Sequence, residues 1–188
     1  MSINKFMTPA EELRTVALAT IAERYPEPEW IHICTDWSAT EANKNAGAGV
    51  YSGLFQLSPP AGGNATNVDG EVAAITLALE KLTHACAKKI VLLSDSRAAL
   101  LAIASGHPLA NARILACWKS IECKQEIRKV LVMQWIPAHC GIPGNEEADR
   151  LARLGGSQPH PLLPITMDMA KEMARSATTE TAEKRSRG

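Results

Sequence analysis

Apolar positions change their period along the chain, and each change marks an element. The segment beginning Thr8-Pro9-Ala10-Glu11 has the spacing of a capping box with proline at the first helical position. It predicts a helix that starts there and runs to about Arg24, where the proline-rich "YPEPEW" cannot continue it. In "WIHICTDW", Ile31, Ile33 and Thr35 alternate with His32, Cys34 and Asp36, the period of a strand with Asp36 near its end. "GAGVYSGLFQLS" gives two short strand-like runs around Ser52-Gly53, a hairpin pattern, and "PPAGGNATN" is a loop. From Asp69 the period becomes helical: Val72, Ile75, Leu79 and Leu82 form one face of a helix ending near His84.

The second half alternates strands with helices. "KKIVLLSD" is nearly continuous in apolar residues, as in a strand buried on both faces. "SRAALLAIASG" is a helix closed by Gly106, and a further helix covers roughly Leu109 to Ile127. "KVLVMQWIPAH" is the next strand, and "NEEADRLARL" a last helix beginning near Asn145. After Gly155 comes the linker "GGSQPHPLLP", and residues 165–185 form a polar helix or fray. The order, hairpins first and then strands joined by helical crossovers, predicts an α/β fold with a mixed sheet and helices on both faces. We divide the chain into an accessory helix and linker (1–29), a central domain (30–154) and a C-terminal linker with a possible helix (155–188).

Composition narrows the class. The 188 residues are 46% apolar but only 4% aromatic, so the core is built from Ala, Leu, Ile and Val. Lys and Arg balance Asp and Glu at 20 each, which argues against tight autonomous binding of nucleic acid by phosphate neutralisation. The five cysteines form no C-x-x-C pair, as expected of reduced thiols rather than a zinc site or a disulfide scaffold. No apolar run approaches the ~20 residues of a membrane span. Glu11, Glu12 and Arg14 interrupt the N-terminal stretch where a signal peptide would be apolar. These features lead us to expect a soluble cytoplasmic or nuclear protein that is not secreted and has no membrane partner.

Candidate chemistry gathers where strands end. Asp36, Asp95 and His139 each close a predicted strand, and ligands of α/β sheets bind beyond the carboxyl ends of parallel strands. Glu71 falls in the first turn of its helix and Asp149 in the second turn of the last one. If both helices pack at that end, four carboxylates cluster, and their repulsion calls for divalent cations; oxygen-only ligands favour Mg²⁺ or Mn²⁺. Taken singly, each residue has a plainer use: Asp36 in a turn, Glu71 against a helix dipole, Asp95-Ser96 as an N-cap, His139 and Asp149 as solvated surface.

The joint pattern resembles the ribonuclease H family. "TDWS" is similar to its first-strand T-D-G-S, "TNVDGE" to its T-N-x-x-x-E, "SDSRAAL" to its [TS]-D-S, and "HCGIPGNEEAD" to its H-x-G-x-x-x-N-E-x-x-D. The motifs occur in family order over about residues 30–154. Closer still, "WIPAHCGIPGNEEADRLA" resembles the ribonuclease H domains that trail reverse transcriptases in non-LTR retrotransposon polyproteins.

The resemblance implies a five-stranded RNase H-like sheet and hydrolysis of the RNA strand of RNA–DNA hybrids, leaving 5′-phosphate and 3′-hydroxyl ends. Asp36, Glu71, Asp95 and Asp149 would hold two Mg²⁺ ions roughly 4 Å apart, with Mn²⁺ as a substitute. His139, on a mobile loop, would assist proton transfer or product release. Asn67 matches the family's groove-contacting Asn, with Thr66 before it, and Arg97 is a candidate phosphate contact. Asn145 and Glu146 would cap and charge the start of the last helix. The implied partners are the hybrid and a reverse transcriptase domain in the same polyprotein, with the domain itself a monomer. Trp37 departs from the pattern, since it stands where the family has Gly. Alternation along a strand turns its side chain away from Asp36, toward a packed helix. The alternative reading is a catalytically impaired RNase H-like domain that binds nucleic acid or serves as a scaffold.

Overall fold

The computed structural model describes residues 8–40, 44–62, 66–82, 89–105, 112–126 and 130–160. The expected helix end near His84, the closure at Gly106, the helix start near Leu109, its end near Ile127 and the segment 165–185 lie outside the described residues. The elements are α1 (Ala10–Arg24), β1 (Ile31–Thr40), β2 (Lys44–Ser52), β3 (Gln56–Leu57), β4 (Pro60–Gly62) and α2 (Asn67–Lys81). They continue with β5 (Lys89–Ser94), α3 (Arg97–Ala104), α4 (Ala112–Glu126), β6 (Val130–Trp135) and α5 (Pro143–Gly156).

The sheet runs β3-β2-β1-β5-β6, with β4 also paired to β2. The hairpin half is antiparallel, and β1–β5 and β5–β6 are parallel. This is the mixed sheet with helices that the pattern predicts. Several boundaries differ, among them the end of β6, which stops at Trp135 rather than running on toward His139. "PPAGG" is not all loop: Gly47 pairs with Pro60 and Ala46 with Gly62. Proline is tolerated because this short edge piece needs no outward N–H. α1 starts at Ala10 with Pro9 at the N-cap, one residue later than the capping box expects, and ends at Arg24 as read.

Alternation along the strands feeds two cores. Ile33 of β1, Val50 of β2, and Ile90 and Leu92 of β5 pack with Val72, Ile75 and Leu79 of α2, Ala99 and Ile103 of α3, and Cys117 of α4. On the opposite face Cys34, Val91 and Leu93 meet Ile21 of α1 and Tyr25 just past its end, Ala148 of α5, and Ile136, Cys140 and Ile142. β5 therefore contributes to both faces, as its unbroken apolar run demands. Each fully buried Ile or Leu contributes roughly 1.5–3 kcal/mol.

α5 lies directly on β2 because β2 offers glycines. A Cβ on Gly47 would sit 2.0 Å from the Ala152 carbonyl oxygen, and one on Gly49 would sit 1.9 Å from that of Ala148. Gly49 is also the cross-strand partner of Asp36. The close approach thus brings the Ala148–Asp149 turn of α5 down beside Asp36.

Candidate active site

Parallel pairing ends at one level across the sheet. β1 and β5 part after Thr35 and Ser94, and β5 and β6 after Ser94 and Trp135. Asp36 and Asp95 are the next residues in their chains. Asp36 is not near the end of its strand, however. β1 continues to Thr40 because β2 goes on pairing with it, so the carboxylate sits mid-strand where only the parallel neighbour stops.

Glu71 reaches the same point from α2. Thr66 caps that helix: its Oγ1 accepts from the Asp69 N–H at 3.2 Å and donates to Asp69 Oδ2 at 2.7 Å. Starting at Asn67, the helix puts Glu71 in its second turn rather than its first, beyond reach of the N-terminal dipole. One carboxylate oxygen each from Asp36, Glu71 and Asp95 lies within 4.8 Å of the other two. Asp149 is buried beside Asp36, and its Oδ2 accepts from Arg153 Nη2 at 2.6 Å. His139 is exposed on the rim, and all five line one cleft of about 620 Å³.

Burial and mutual repulsion set the protonation of the cluster. Asp36 is pushed up to about 7, first by burial and then by the charge of Asp95, with Asp149 adding to it; the Trp37 N–H, donating to Asp36 Oδ1 at 2.8 Å, opposes the rise. Glu71 is pushed up to about 9 by burial and then by the charges of Asp36 and Asp95. Among the described residues, Glu71 Oε2 is buried without a hydrogen-bond partner. Neighbouring carboxylates and an orphaned oxygen fit a hard divalent ion, which takes oxygen ligands and offsets the repulsion.

Asn145 was expected to cap α5, and this is corrected. The N-cap is Ile142, with Pro143 opening the helix, and Asn145 is buried with its Nδ2 donating to Asp95 Oδ2 at 3.3 Å. Pro143 supplies the fixed φ that starts the helix two residues early, which turns Asn145 inward. Glu146 does serve the helix start, its Oε1 accepting the Gly141 N–H at 3.1 Å. Trp135 Nε1 donates to the Asp95 carbonyl at 3.0 Å, and Ser96 caps α3. The turn carrying Asp95 is thus held at three points. The Asn of "GNEEAD" and the glycines of "GAG" were the available signals for Asn145 and for the seating of α5.

Trp37 shares the β1 face of Ile33 and Thr35 and lays its ring on the first turn of α2. A Cβ on Gly70 would lie 2.1 Å from Trp37 Nε1 and 2.3 Å from its Cδ1. Gly70 therefore makes room for the residue that departs from the family pattern. Asn67 is exposed on the cleft rim, and Thr66 is occupied as a cap. Arg97 is exposed outside the cleft and borders an apolar groove of Leu100, Leu101 and Trp118.

Residues 28–157 match the family model described as RNase H. The chain belongs to the RNase H family. It is 30% identical over 145 residues to a ribonuclease H of Stutzerimonas stutzeri, covering 68% of this chain and 91% of that one. It is 29% identical over 126 residues to human ribonuclease H1, covering 60% of this chain and 44% of that one. Among solved structures it is similar to the N-terminal RNase H domain of a Mycobacterium tuberculosis protein, with a TM-score of 0.54, 19% identity, and coverage of 68% of this chain and 93% of that one. A foamy viral protease–reverse transcriptase, solved with an RNA/DNA hybrid, also matches with a TM-score of 0.54, at 18% identity and over 68% of this chain and 20% of that one. At such identities these two structures speak for the fold alone. Among the described residues no helix is long and apolar enough to cross a membrane.

Proposed function

We propose that this chain hydrolyses the RNA strand of RNA–DNA hybrids at the Asp36–Glu71–Asp95 cleft, leaving 5′-phosphate and 3′-hydroxyl ends. It is a ribonuclease H by family and by the names of its relatives. The observation that carries the reading is the set of three carboxylates within 4.8 Å of one another, with the buried Glu71 Oε2 unpartnered. Asp36, Glu71, Asp95 and Asp149 are the ligands in this reading, for two Mg²⁺ ions with Mn²⁺ as a substitute. Bound divalent cations supply the positive charge that favours deprotonation of the attacking water and stabilises the leaving 3′ oxygen.

The chain's own residues do the rest. Asn145 holds the Asp95 carboxylate in place, its Nδ2 donating to Oδ2 at 3.3 Å. Arg153 holds Asp149 from the solvent side, its Nη2 donating to Asp149 Oδ2 at 2.6 Å. His139, exposed on the rim, carries a proton to or from the scissile phosphate oxygens or eases product departure. Asn67, also at the cleft, meets the minor groove, where 2′-hydroxyls tell RNA from DNA. Thr66 serves by fixing Asn67 at the helix start, and Arg97, outside the cleft, reaches only a more distant phosphate. The impaired-domain alternative needs Trp37, which lines the cleft, to obstruct the site; its ring is packed on Gly70 of α2.

The string "WIPAHCGIPGNEEADRLA" supports a retroelement-type ribonuclease H, a monomeric unit working beside a reverse transcriptase domain of the same polyprotein. The deciding experiment is cleavage of a labelled hybrid under Mg²⁺ titration, beside duplex DNA, duplex RNA and an Asp95→Asn variant. The reading expects cleavage of the hybrid alone and a loss of about a thousandfold in the variant. Wild-type turnover by Asp95→Asn refutes it.

A further inference from the structure

The stretch that matches the family begins at residue 28, after α1 has ended. α1 nevertheless packs against the part of the cleft with the least ordinary backbone. His139 has φ +50° and Gly141 φ +80°, two left-handed residues within three positions. A left-handed His costs backbone energy and persists only where its surroundings fix it.

They are fixed from below. Ile136, Cys140 and Ile142, which flank His139, are 1%, 8% and 3% exposed and share one apolar cluster with Ile21 of α1 and Tyr25 at its C-cap. Sinking these three side chains leaves the residue between them no inward room, and His139 projects to the cleft. Farther along α1, the Arg14 side chain lies over the loop: a Cβ on Gly141 would meet its Cδ at 3.6 Å and its Nε at 3.7 Å. No ion pair of Arg14 is present among the described residues. The helix end is tied to the sheet as well, with the Tyr25 hydroxyl donating to Gln134 Oε1 at 3.2 Å and His32 Nε2 hydrogen-bonded to the Tyr25 carbonyl at 2.6 Å.

We propose that α1 is the wall against which the His139 loop is set, and that Ile21 and Arg14 are positioning residues that act on the reaction through His139. The proposal rests on the role given to His139 above. α1 is then part of the working domain rather than an accessory before it, and the apolar flanks of the loop are its point of purchase.

The test is a double-mutant cycle in the full-length chain. Ile21→Ala, Ile21→Val and Arg14→Ala are each made alone and with His139→Ala. Hybrid cleavage is measured at saturating Mg²⁺ well below every variant's melting temperature, and hydrogen exchange is followed at the loop amides. Ile21→Ala is expected to lower kcat about fivefold with KM within about twofold, since the loop loses its setting and the hybrid site does not. Ile21→Val restores most of that loss. In the His139→Ala background the same Ile21→Ala change alters kcat by less than about 1.5-fold, the signature of a single coupled unit. Exchange quickens at Cys140–Ile142 and not in α2. Arg14→Ala, at an exposed position that leaves folding intact, gives a loss of about twofold that also vanishes without His139. Equal losses in both backgrounds, or unchanged exchange at the loop, overturn the proposal while leaving the nuclease reading intact. Wild-type turnover by His139→Ala overturns the role of the histidine and this proposal with it, and Asp95→Asn still reports the nuclease reading separately.

Discussion

Neutralising one carboxylate of the cluster should make the ion-free protein more stable, at the expense of its response to metal. The Glu71 carboxyl is pushed from 4.5 up to about 9, first by burial and then by the charges of Asp36 and Asp95. The unfolded chain releases this proton near the lower value, and the folded chain keeps it until near the higher one. Between them the folded state binds more protons, so stability falls as pH rises; it is fully present only below the unfolded value. At about 1.4 kcal/mol per pH unit, the interval from 4.5 to pH 7 amounts to roughly 3 kcal/mol. Glu71→Gln keeps the side chain's shape and removes the unfolded state's gain. For a chain of this size 1 kcal/mol moves Tm by about 2–4 °C, so Tm in chelator at pH 7 should rise by about 6–12 °C. Asp36, pushed up to about 7, contributes with the same sign over a narrower range. Melting curves from pH 5 to 9, in chelator and in Mg²⁺, supply the check. Wild-type Tm in chelator should fall across that range, Mg²⁺ should flatten the fall by binding the folded state, and the variant should be flatter already and indifferent to Mg²⁺. A wild-type Tm in chelator that holds level or climbs with pH refutes the reasoning, as does a lower Tm for Glu71→Gln at pH 7.

Three further changes probe how the cluster is built. Gly70→Ala drives a methyl into the Trp37 ring at 2.1 Å and should cost about 2–3 kcal/mol; Trp37→Gly in the same chain should recover most of it, as read by denaturant melts. Asn145→Ala frees the Asp95 carboxylate and should lower kcat about tenfold at nearly constant KM, measured by hybrid cleavage on protein shown to be folded. Gly49→Ala would place a Cβ 1.9 Å from the Ala148 carbonyl oxygen and should lift α5 from β2, costing about 3 kcal/mol or more. Its hybrid cleavage should then fall even at temperatures where the protein stays folded.

Much of this architecture was legible because it follows from short-range regularities. The unbroken apolar run of β5 announced burial on both faces, and Val91 and Leu93 do face a different core from Ile90 and Leu92. The strand end at Asp95 lies where the pattern put it, whereas β6 stops at Trp135, short of the stretch to His139 that its apolar run had suggested. What escaped the sequence depends on a second partner. Asp36 sits mid-strand because β2 keeps pairing after β5 has stopped, and nothing in "WIHICTDW" carries that. Glu71 moves from the first turn to the second because Thr66 takes the capping role three residues ahead of Asp69, where the helical period begins. Asn145 has the composition of a cap, but Pro143 starts α5 earlier and turns the amide onto Asp95.

The same distinction explains how a chain with so few aromatics holds four acids in place. Side chains packed on side chains can adjust, whereas backbone resting on backbone cannot. At Gly49 the α5 carbonyls rest on the strand paired to Asp36, so Asp149 cannot leave Asp36 without the whole helix rising. At Gly70 the Trp37 ring occupies the place of a helix side chain, so the turn before Glu71 is pinned to the strand that bears Asp36. Two glycine contacts, each reporting to the same strand, fix the relative positions of Asp36, Glu71 and Asp149. A cluster held this firmly cannot relieve its repulsion by moving apart. It must take up protons, as the raised Asp36 and Glu71 carboxyls do, or cations. In a chain with zero formal net charge, those cations also become the main source of attraction for a phosphate backbone at the cleft. Metal affinity and hybrid affinity should therefore rise and fall together across the variants above.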